Sequence, residues 1–364
     1  MNVNSDTINS NRKPKTFNNP ERFIEGWYWV IPSQSLRVGE VKPVTIMGKK
    51  LVVYRGKDRR AVILDAFCPH MGAHLAEGKV EGNDLRCFFH HWKFDSQGIC
   101  IDIPCLDRPI PLKLKSWPTA EKYHLIWIWT GENPQQPLPF VPEWEHKDYD
   151  VVLGAKYLAD CHPNVVAINP IDAQHFNTVH KLPSQIAFEK QELNHNAIIF
   201  NNITHSGENK SWLKLFMRFC KNAFVYSICY WYGTNTIVTL GPDFLHIHIF
   251  LAMRLIEGGK TECQSLLLMK KRRGIVGRLL NKCVMLLMQI IGHYFIQGDR
   301  QVLQTIEFNL KTPLKADQAI MQFINHLEKQ KPLMWKTWNL ARDRSRETEK
   351  RENLANWRDE LVND

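Results

Sequence analysis

Cys68-Pro-His70 and, sixteen residues further on, Cys87-Phe-Phe-His90 place two thiols and two imidazoles in two short stretches. Thiolates on one iron and neutral imidazoles on the other can hold a two-iron, two-sulfide cluster, with a reduction potential above that of an all-thiolate cluster. Cys₂His₂ also suits tetrahedral zinc, but zinc fingers pair Cys with Cys and His with His rather than Cys with His twice. A second stretch, Asn169-Pro-Ile-Asp172-Ala-Gln-His175-Phe-Asn-Thr-Val-His180, carries two imidazoles five residues apart. Five residues is near one and a half helical turns, so a regular helix would splay the rings; a loosened turn after His175 is needed to aim both at one point. Two imidazoles and one carboxylate, with positions left open, form the facial triad that suits ferrous iron. Taken alone, the same spacing fits two structural histidines.

The elements that must position these residues change character along the chain. With 364 residues it is too long for one compact core and fits two domains with tails. We divide it into a flexible tail over 1–22, a first domain over 23–133, a linker over 134–146, a second domain over 147–335 and a charged tail over 336–364. The first domain reads as short antiparallel strands with hairpins, such as Lys50-Leu-Val-Val-Tyr54 and Ala61-Val-Ile-Leu-Asp65, closed by His124-Leu-Ile-Trp127-Ile-Trp129. Both Cys/His stretches then fall in loops of a small all-β unit, where a rigid sheet can hold ligands. A proline-rich run, Pro134 to Pro142, leads out of it. The second domain mixes helical spacing over Val165–His180 with strand-like runs: Ala197–Phe200, Phe224–Cys229, Thr236–Leu240 and Leu245–Phe250. Helices are expected over Val276–Ile296 and Ala316–Gln330, giving an α+β fold with an antiparallel sheet.

The Cys-x-His and Cys-x-x-His loops, with Pro69, Gly72 and Trp92, resemble the Rieske proteins; their family usually has Gly where this chain has His91. His90 has the ligand offset, which leaves His91 facing solvent or the domain interface. Together with the downstream Asp172-x-x-His175-x₄-His180, the chain is similar to the catalytic alpha subunits of Rieske-type non-heme iron oxygenases over about residues 25–310, with features of the monooxygenase branch. The resemblance implies an N-terminal [2Fe-2S] domain held by Cys68, His70, Cys87 and His90, and a helix-grip-like catalytic domain. His175, His180 and a downstream carboxylate would bind mononuclear Fe(II), and O2 would be the co-substrate. In Gln297-Gly-Asp299-Arg-Gln-Val-Leu-Gln304-Thr-Ile-Glu307, Asp299 takes the carboxylate position, after the apolar helix; Gln304 departs from the family's usual Glu, and Glu307 is the fallback. Asp172 would bridge to a cluster histidine of a neighbouring subunit in a head-to-tail homotrimer; otherwise it is a helix-surface carboxylate.

Such an enzyme hydroxylates, desaturates or dealkylates a hydrophobic substrate, steroid-, terpenoid- or aromatic-like. No Gly-rich dinucleotide fingerprint or four-cysteine ferredoxin motif is present, so a ferredoxin or an NAD(P)H-dependent reductase must supply electrons. The net charge of +10 fits an acidic ferredoxin or an anionic membrane surface as well as a solvated face, and there is no nucleic-acid motif. The polar N-terminus and the scattered cysteines, read as free and mostly buried thiols, point to the cytoplasm. The helix after Lys270-Lys-Arg-Arg273 is apolar on most faces, but Arg278, Asn281 and Lys282 argue against a membrane span. It reads either as the wall of an apolar pocket or as an interfacial helix with a basic collar. Two rivals stand beside the oxygenase: an electron-transfer protein without mononuclear iron, and a binding protein that kept the fold and lost its iron.

Overall fold

The computed structural model describes residues 16–19, 21–144, 148–180, 186–203, 225–241, 246–256 and 259–333. Most of the expected N-terminal tail and all of the expected C-terminal tail lie outside these residues. So do Phe216, Phe219, Cys220, Phe224, Phe244, Leu245 and the side chain of Tyr226.

Trp27-Tyr-Trp29-Val and Leu125-Ile-Trp127-Ile-Trp129 are aromatic and aliphatic at every position, which suits strands buried on both faces. They form β1 (Trp27–Pro32) and β11 (Leu125–Trp129), paired antiparallel with Trp29 opposite Trp127. A third strand, β10 (Thr119–Lys122), completes this small sheet. Side chains alternate across a strand, and here each face enters a different core. Trp27, Trp29, Leu125, Trp127 and Trp129 join the core of the C-terminal half, while Tyr28, Val30, Ile126 and Ile128 join a core of the N-terminal half.

Two four-stranded antiparallel sheets make up the rest of the N-terminal half. One has the order β2 (Val41–Ile46), β3 (Lys49–Arg55), β4 (Ala61–Asp65) and β9 (Ser116–Trp117). The other runs β5 (Lys79–Glu81), β6 (Asp84–Arg86), β7 (Lys93–Phe94) and β8 (Cys100–Asp102).

The C-terminal half is built on a seven-stranded antiparallel sheet. In chain order its strands are β12 (Tyr149–Ala159), β13 (Phe188–Asn194), β14 (Ala197–Asn202), β15 (Val225–Trp231), β16 (Asn235–Leu240), β17 (Ile247–Ile256) and β18 (Lys260–Lys270). Their spatial order is β12-β18-β17-β16-β15-β14-β13. Short helices α1 (Pro163–Ile168) and α2 (Ala173–Thr178) follow β12. The long helix α3 (Gly274–Thr305) packs on β12 and β18, and α4 (Gln318–Lys329) packs on β13 and β14. This is the α+β arrangement expected, an all-β unit followed by an antiparallel sheet gripped by helices.

The halves touch through polar as well as apolar groups. Asn235 Nδ2 donates to Trp27 O at 3.0 Å, and the Arg254 guanidinium lies 4.0 Å over the Trp29 ring while paired with Glu262. Gly26 sits at the seam because a Cβ there would lie 2.5 Å from the Tyr232 ring.

One expectation is corrected. The apolar run ends at Ile296, but the helix does not; it continues to Thr305, so Asp299 lies inside it rather than after it. Polarity alone does not stop a helix, and the single Gly298 costs only about 1 kcal/mol. The strand ends shift too. β15 runs to Trp231 and β17 to Ile256, because the hairpin partners β16 and β18 extend the pairing.

Candidate active site and redox site

Cys68 and His70 lie in the loop after β4, and Cys87 and His90 in the loop between β6 and β7. Backbone bonds tie each loop down: Gly72 N donates to Cys68 O at 2.9 Å, Cys68 N to Ala73 O at 2.8 Å, and Cys87 N to Trp92 O at 2.9 Å. The two cysteines are buried side by side and the two histidines are exposed. The His70 and His90 rings are 4.5 Å apart, and Trp92 stacks flat on His70 at 4.6 Å. Burial pushes the Cys68 thiol up to about 11, with the neighbouring Cys87 adding to it. Two thiolates here therefore need a cationic partner, and a donor set with thiols inside and imidazoles outside fits a cluster with one thiolate-bound and one imidazole-bound iron.

His91 is exposed and is not part of this set. Its φ is +60°, in the left-handed region that favours glycine. That accounts physically for the family's preference for Gly at this place. Here Arg86 Nη1 donates to His91 O at 2.6 Å and holds the turn.

The second constellation forms where α2 meets α3. Asp172 is the N-cap of α2, its Oδ1 accepting from Gln174 N at 3.0 Å and from His175 N at 3.1 Å. His175 sits inside the helix, and His180 follows its end at Thr178. The needed departure from helical geometry is thus the helix terminus itself. Asp299, about seven turns along α3, comes up opposite them. His175 Nε2 is 2.8 Å and His180 Nε2 3.0 Å from Asp299 Oδ1, and the two nitrogens are 3.0 Å apart.

Protons do not account well for this triangle. Asp299 Oδ1 is buried and receives no well-directed hydrogen bond despite both short contacts. Ligand atoms about 2.1 Å from one ion and roughly at right angles to each other lie about 3 Å apart, which is the spacing found. Burial holds the His180 imidazole below its ordinary pKa, although Asp299 pulls the other way. A neutral ring is the form that ligates. The Phe295 ring packs on His180 at 4.7 Å, and Gly298 lies beside that imidazole, where even a Cβ would be in ordinary contact at 3.4 Å. These three residues fit a divalent metal, and their chemistry is that of the facial triad. The fallback carboxylate, Glu307, is exposed beyond the end of α3 and takes no part.

The triangle opens into a cavity of about 660 Å³ between the sheet and α3, a size typical of small-molecule sites. Its walls are mostly aliphatic, including Leu153, Val238, Ile249, Leu267 and Ile291, with Phe176 and Phe295 near the histidines. Tyr230, Trp231, Tyr232 and Phe250 are buried in the core and do not line the cavity. Of the two readings of the apolar helix, the pocket wall holds for α3 from Leu286 onward; the sheet residues of the cavity are not legible in the sequence, because alternate positions on a strand share a face only once the sheet order is known. Among the described residues outside the Rieske-type pair, Cys100, Cys161, Cys229 and Cys263 are free and buried, and Cys105 and Cys283 are exposed.

A family profile described as "Rieske [2Fe-2S] domain" matches residues 26–118. Cholesterol 7-desaturase nvd 1 of Ciona intestinalis is 37% identical over 166 residues, covering 44% of this chain and 35% of that protein. A probable 3-ketosteroid-9-alpha-monooxygenase, oxygenase component, of Rhodococcus rhodochrous is 33% identical over 168 residues, covering 44% and 42%. The chain thus spans less than half the length of these curated relatives. In fold it is similar to dicamba monooxygenase bound to dicamba, with a TM-score of 0.62 at 20% identity over 84% of this chain and 96% of that one. It is likewise similar to the terminal oxygenase of carbazole 1,9a-dioxygenase from Nocardioides aromaticivorans, with a TM-score of 0.64 at 13% identity over 86% and 95%.

Proposed function

From the premise that this chain is a Rieske-type oxygenase alpha-subunit homologue, carrying the [2Fe-2S] domain over residues 26–118, we propose that it oxidises an apolar, sterol-like substrate with dioxygen and externally supplied electrons. The observation that carries this reading is the 3-Å triangle of His175, His180 and Asp299 opening on an apolar cavity. The relatives named for cholesterol and 3-ketosteroid chemistry support the substrate class.

Cys68, Cys87, His70 and His90 would hold the cluster, and His175, His180 and Asp299 the mononuclear iron. When bound, the cluster relays single electrons and the ferrous iron supplies a second electron and open positions for dioxygen. The protein's own residues do the rest. The aliphatic walls desolvate the substrate and keep bulk water from the reacting carbon. Phe176 and Phe295 fix the histidine rings from the side. Asp172 holds the first turn of α2, and so the height of His175, through its Oδ1. Its other oxygen is proposed to reach His70 or His90 of a neighbouring chain in a closed ring, probing the redox state of the partner through a hydrogen bond. Exposed Met71, Phe88 and Phe89 around those histidines would provide the apolar contact for that neighbour. A ferredoxin or reductase would deliver the electrons.

Metal analysis tests this reading directly. Anaerobically reconstituted protein is expected to hold three irons and two acid-labile sulfides per chain, and to consume oxygen with a reductase and a sterol or steroid. Two irons and two sulfides, with no oxygen uptake across sterols, terpenoids and aromatic acids, would reduce the protein to an electron carrier.

A further inference from the structure

The helix that carries Asp299 has an exposed apolar face that runs on beyond the cavity; of the residues on it, Leu286 and Ile290 also line the cavity. Ile275, Val276, Leu279, Leu280, Leu286, Leu287 and Ile290 of α3 are all exposed, Ile275 at 79%, Val276 at 81% and Ile290 at 64%. At about 100° per residue these positions fall within one stripe roughly 140° wide. Asn281, Met285 and Met288 are buried on the opposite side, against the sheet. By length and composition α3 would be apolar enough to cross a membrane. Its packing on β12 and β18, however, leaves only one side free.

Charge distinguishes what that side would meet. Lys270, Lys271, Arg272 and Arg273 lead into the helix, and Arg278 and Lys282 flank the stripe; no Asp or Glu occurs from Cys263 to Gly298. Among the described residues, the carboxylate bonded to this stretch of α3 is Asp150, and it accepts from Asn281 rather than from a cation. An apolar stripe bordered by cations complements an anionic bilayer surface: hydrocarbon below, phosphate and carboxylate headgroups at the rim. A second copy of the chain on the same face would bring two such basic ends together.

We propose that the N-terminal half of α3 docks this protein on the surface of an anionic lipid bilayer, the stripe in the acyl boundary and the six cations among the headgroups. The residues of α3 from Leu286 onward that wall the cavity continue this contact. If the oxygenase reading holds, a sterol dissolved in the bilayer has a short apolar route to the site.

The test is sedimentation of the intact chain with phosphatidylcholine vesicles with and without phosphatidylserine. Wild type is expected to sediment with the serine-containing vesicles and to be released by salt. The triple variant Val276→Ser, Leu279→Ser, Leu280→Ser, which touches no cavity residue, should lose roughly tenfold or more of the partitioning. The variant Lys271→Gln, Arg273→Gln, Arg278→Gln, Lys282→Gln should lose on the order of a hundredfold on anionic vesicles and little on neutral ones. Circular dichroism checks that both variants remain folded, which their exposed positions predict. Wild type left in the supernatant, or variants that bind as wild type does, would overturn the proposal. So would a wild-type oligomer that the triple variant dissociates without any vesicle binding, since a second copy would then be the occupant. The readout needs neither iron nor turnover, so its failure is separable from failure of the oxygenase reading.

Discussion

The two candidate metal sites are built in opposite ways. The cluster residues span only Cys68 to His90, sit in two loops tied to small sheets, and leave their histidines in solvent. The iron residues span His175 to Asp299, come from two helices packed on a large sheet, and are sunk at the mouth of a cavity. A site that must pass electrons to other proteins needs an exposed edge. A site that handles an apolar molecule and oxygen needs a dry interior. The first can be assembled locally and survives a change in the neighbouring lobe; the second depends on tertiary packing being correct.

Removing one residue from each side should separate the sites most sharply. Asp299→Ala is expected to abolish turnover and mononuclear iron while leaving the cluster's visible and electron-paramagnetic signals unchanged. Cys68→Ser should do the reverse, keeping one iron at the triangle. Loss of the cluster signal in Asp299→Ala would break the claim that the sites are independently assembled.

Asp172 tests the link between them. Asp172→Ala and Asp172→Asn should both bind their metals and nearly lose steady-state turnover, if the carboxylate joins two chains. They should differ in stability by about 1 kcal/mol, because asparagine keeps the cap on α2 and alanine does not. Wild-type single-turnover rates in either variant would leave Asp172 with the cap alone.

Acid should find the buried lobe first. His162, fully enclosed, is pushed down from 6.5 to about 3 by burial, and its Nδ1 accepts from Asn164 N to cap α1. His248 and His326 are likewise pushed down to about 4, mainly by burial. A histidine held neutral in the fold but free to protonate when unfolded contributes full stability above 6.5 and loses it as pH falls toward the folded value. For His162 that amounts to about 2 kcal/mol between pH 6.5 and about pH 5. His162→Asn, which retains a capping oxygen, should flatten the fall in melting temperature over that interval; an unchanged slope would remove His162 from the account.

The smallest expected effect lies in the cluster loop. His91→Gly should relieve the left-handed strain at φ +60° and raise the melting midpoint by the equivalent of about 1 kcal/mol or less, without altering the cluster spectrum. A drop in stability would mean that the imidazole itself holds the turn.

What was legible beforehand follows the same division. Cys68, His70, Cys87 and His90 could be read because their donor types recur at short range, and the hairpins around them announce themselves by turn residues. The His175–His180 pair was visible, but the way it converges was not, since it relies on α2 stopping at Thr178. Asp299 was identified only through resemblance, and was placed after a helix that in fact contains it. Nothing local signals a ligand on a residue whose partners lie 124 and 119 positions away. The sheet wall of the cavity was hidden for the same reason, because it depends on which strands neighbour one another, whereas the helical wall could be read from its apolar run.

The ribbon of β1 and β11, with tryptophans driven into one core and smaller side chains into the other, bolts the two lobes together. Turning one lobe on the other would pull these side chains out of one of the two cores. If the proposed ring of chains forms, its assembly rather than flexing of one chain would set the pace of electron delivery.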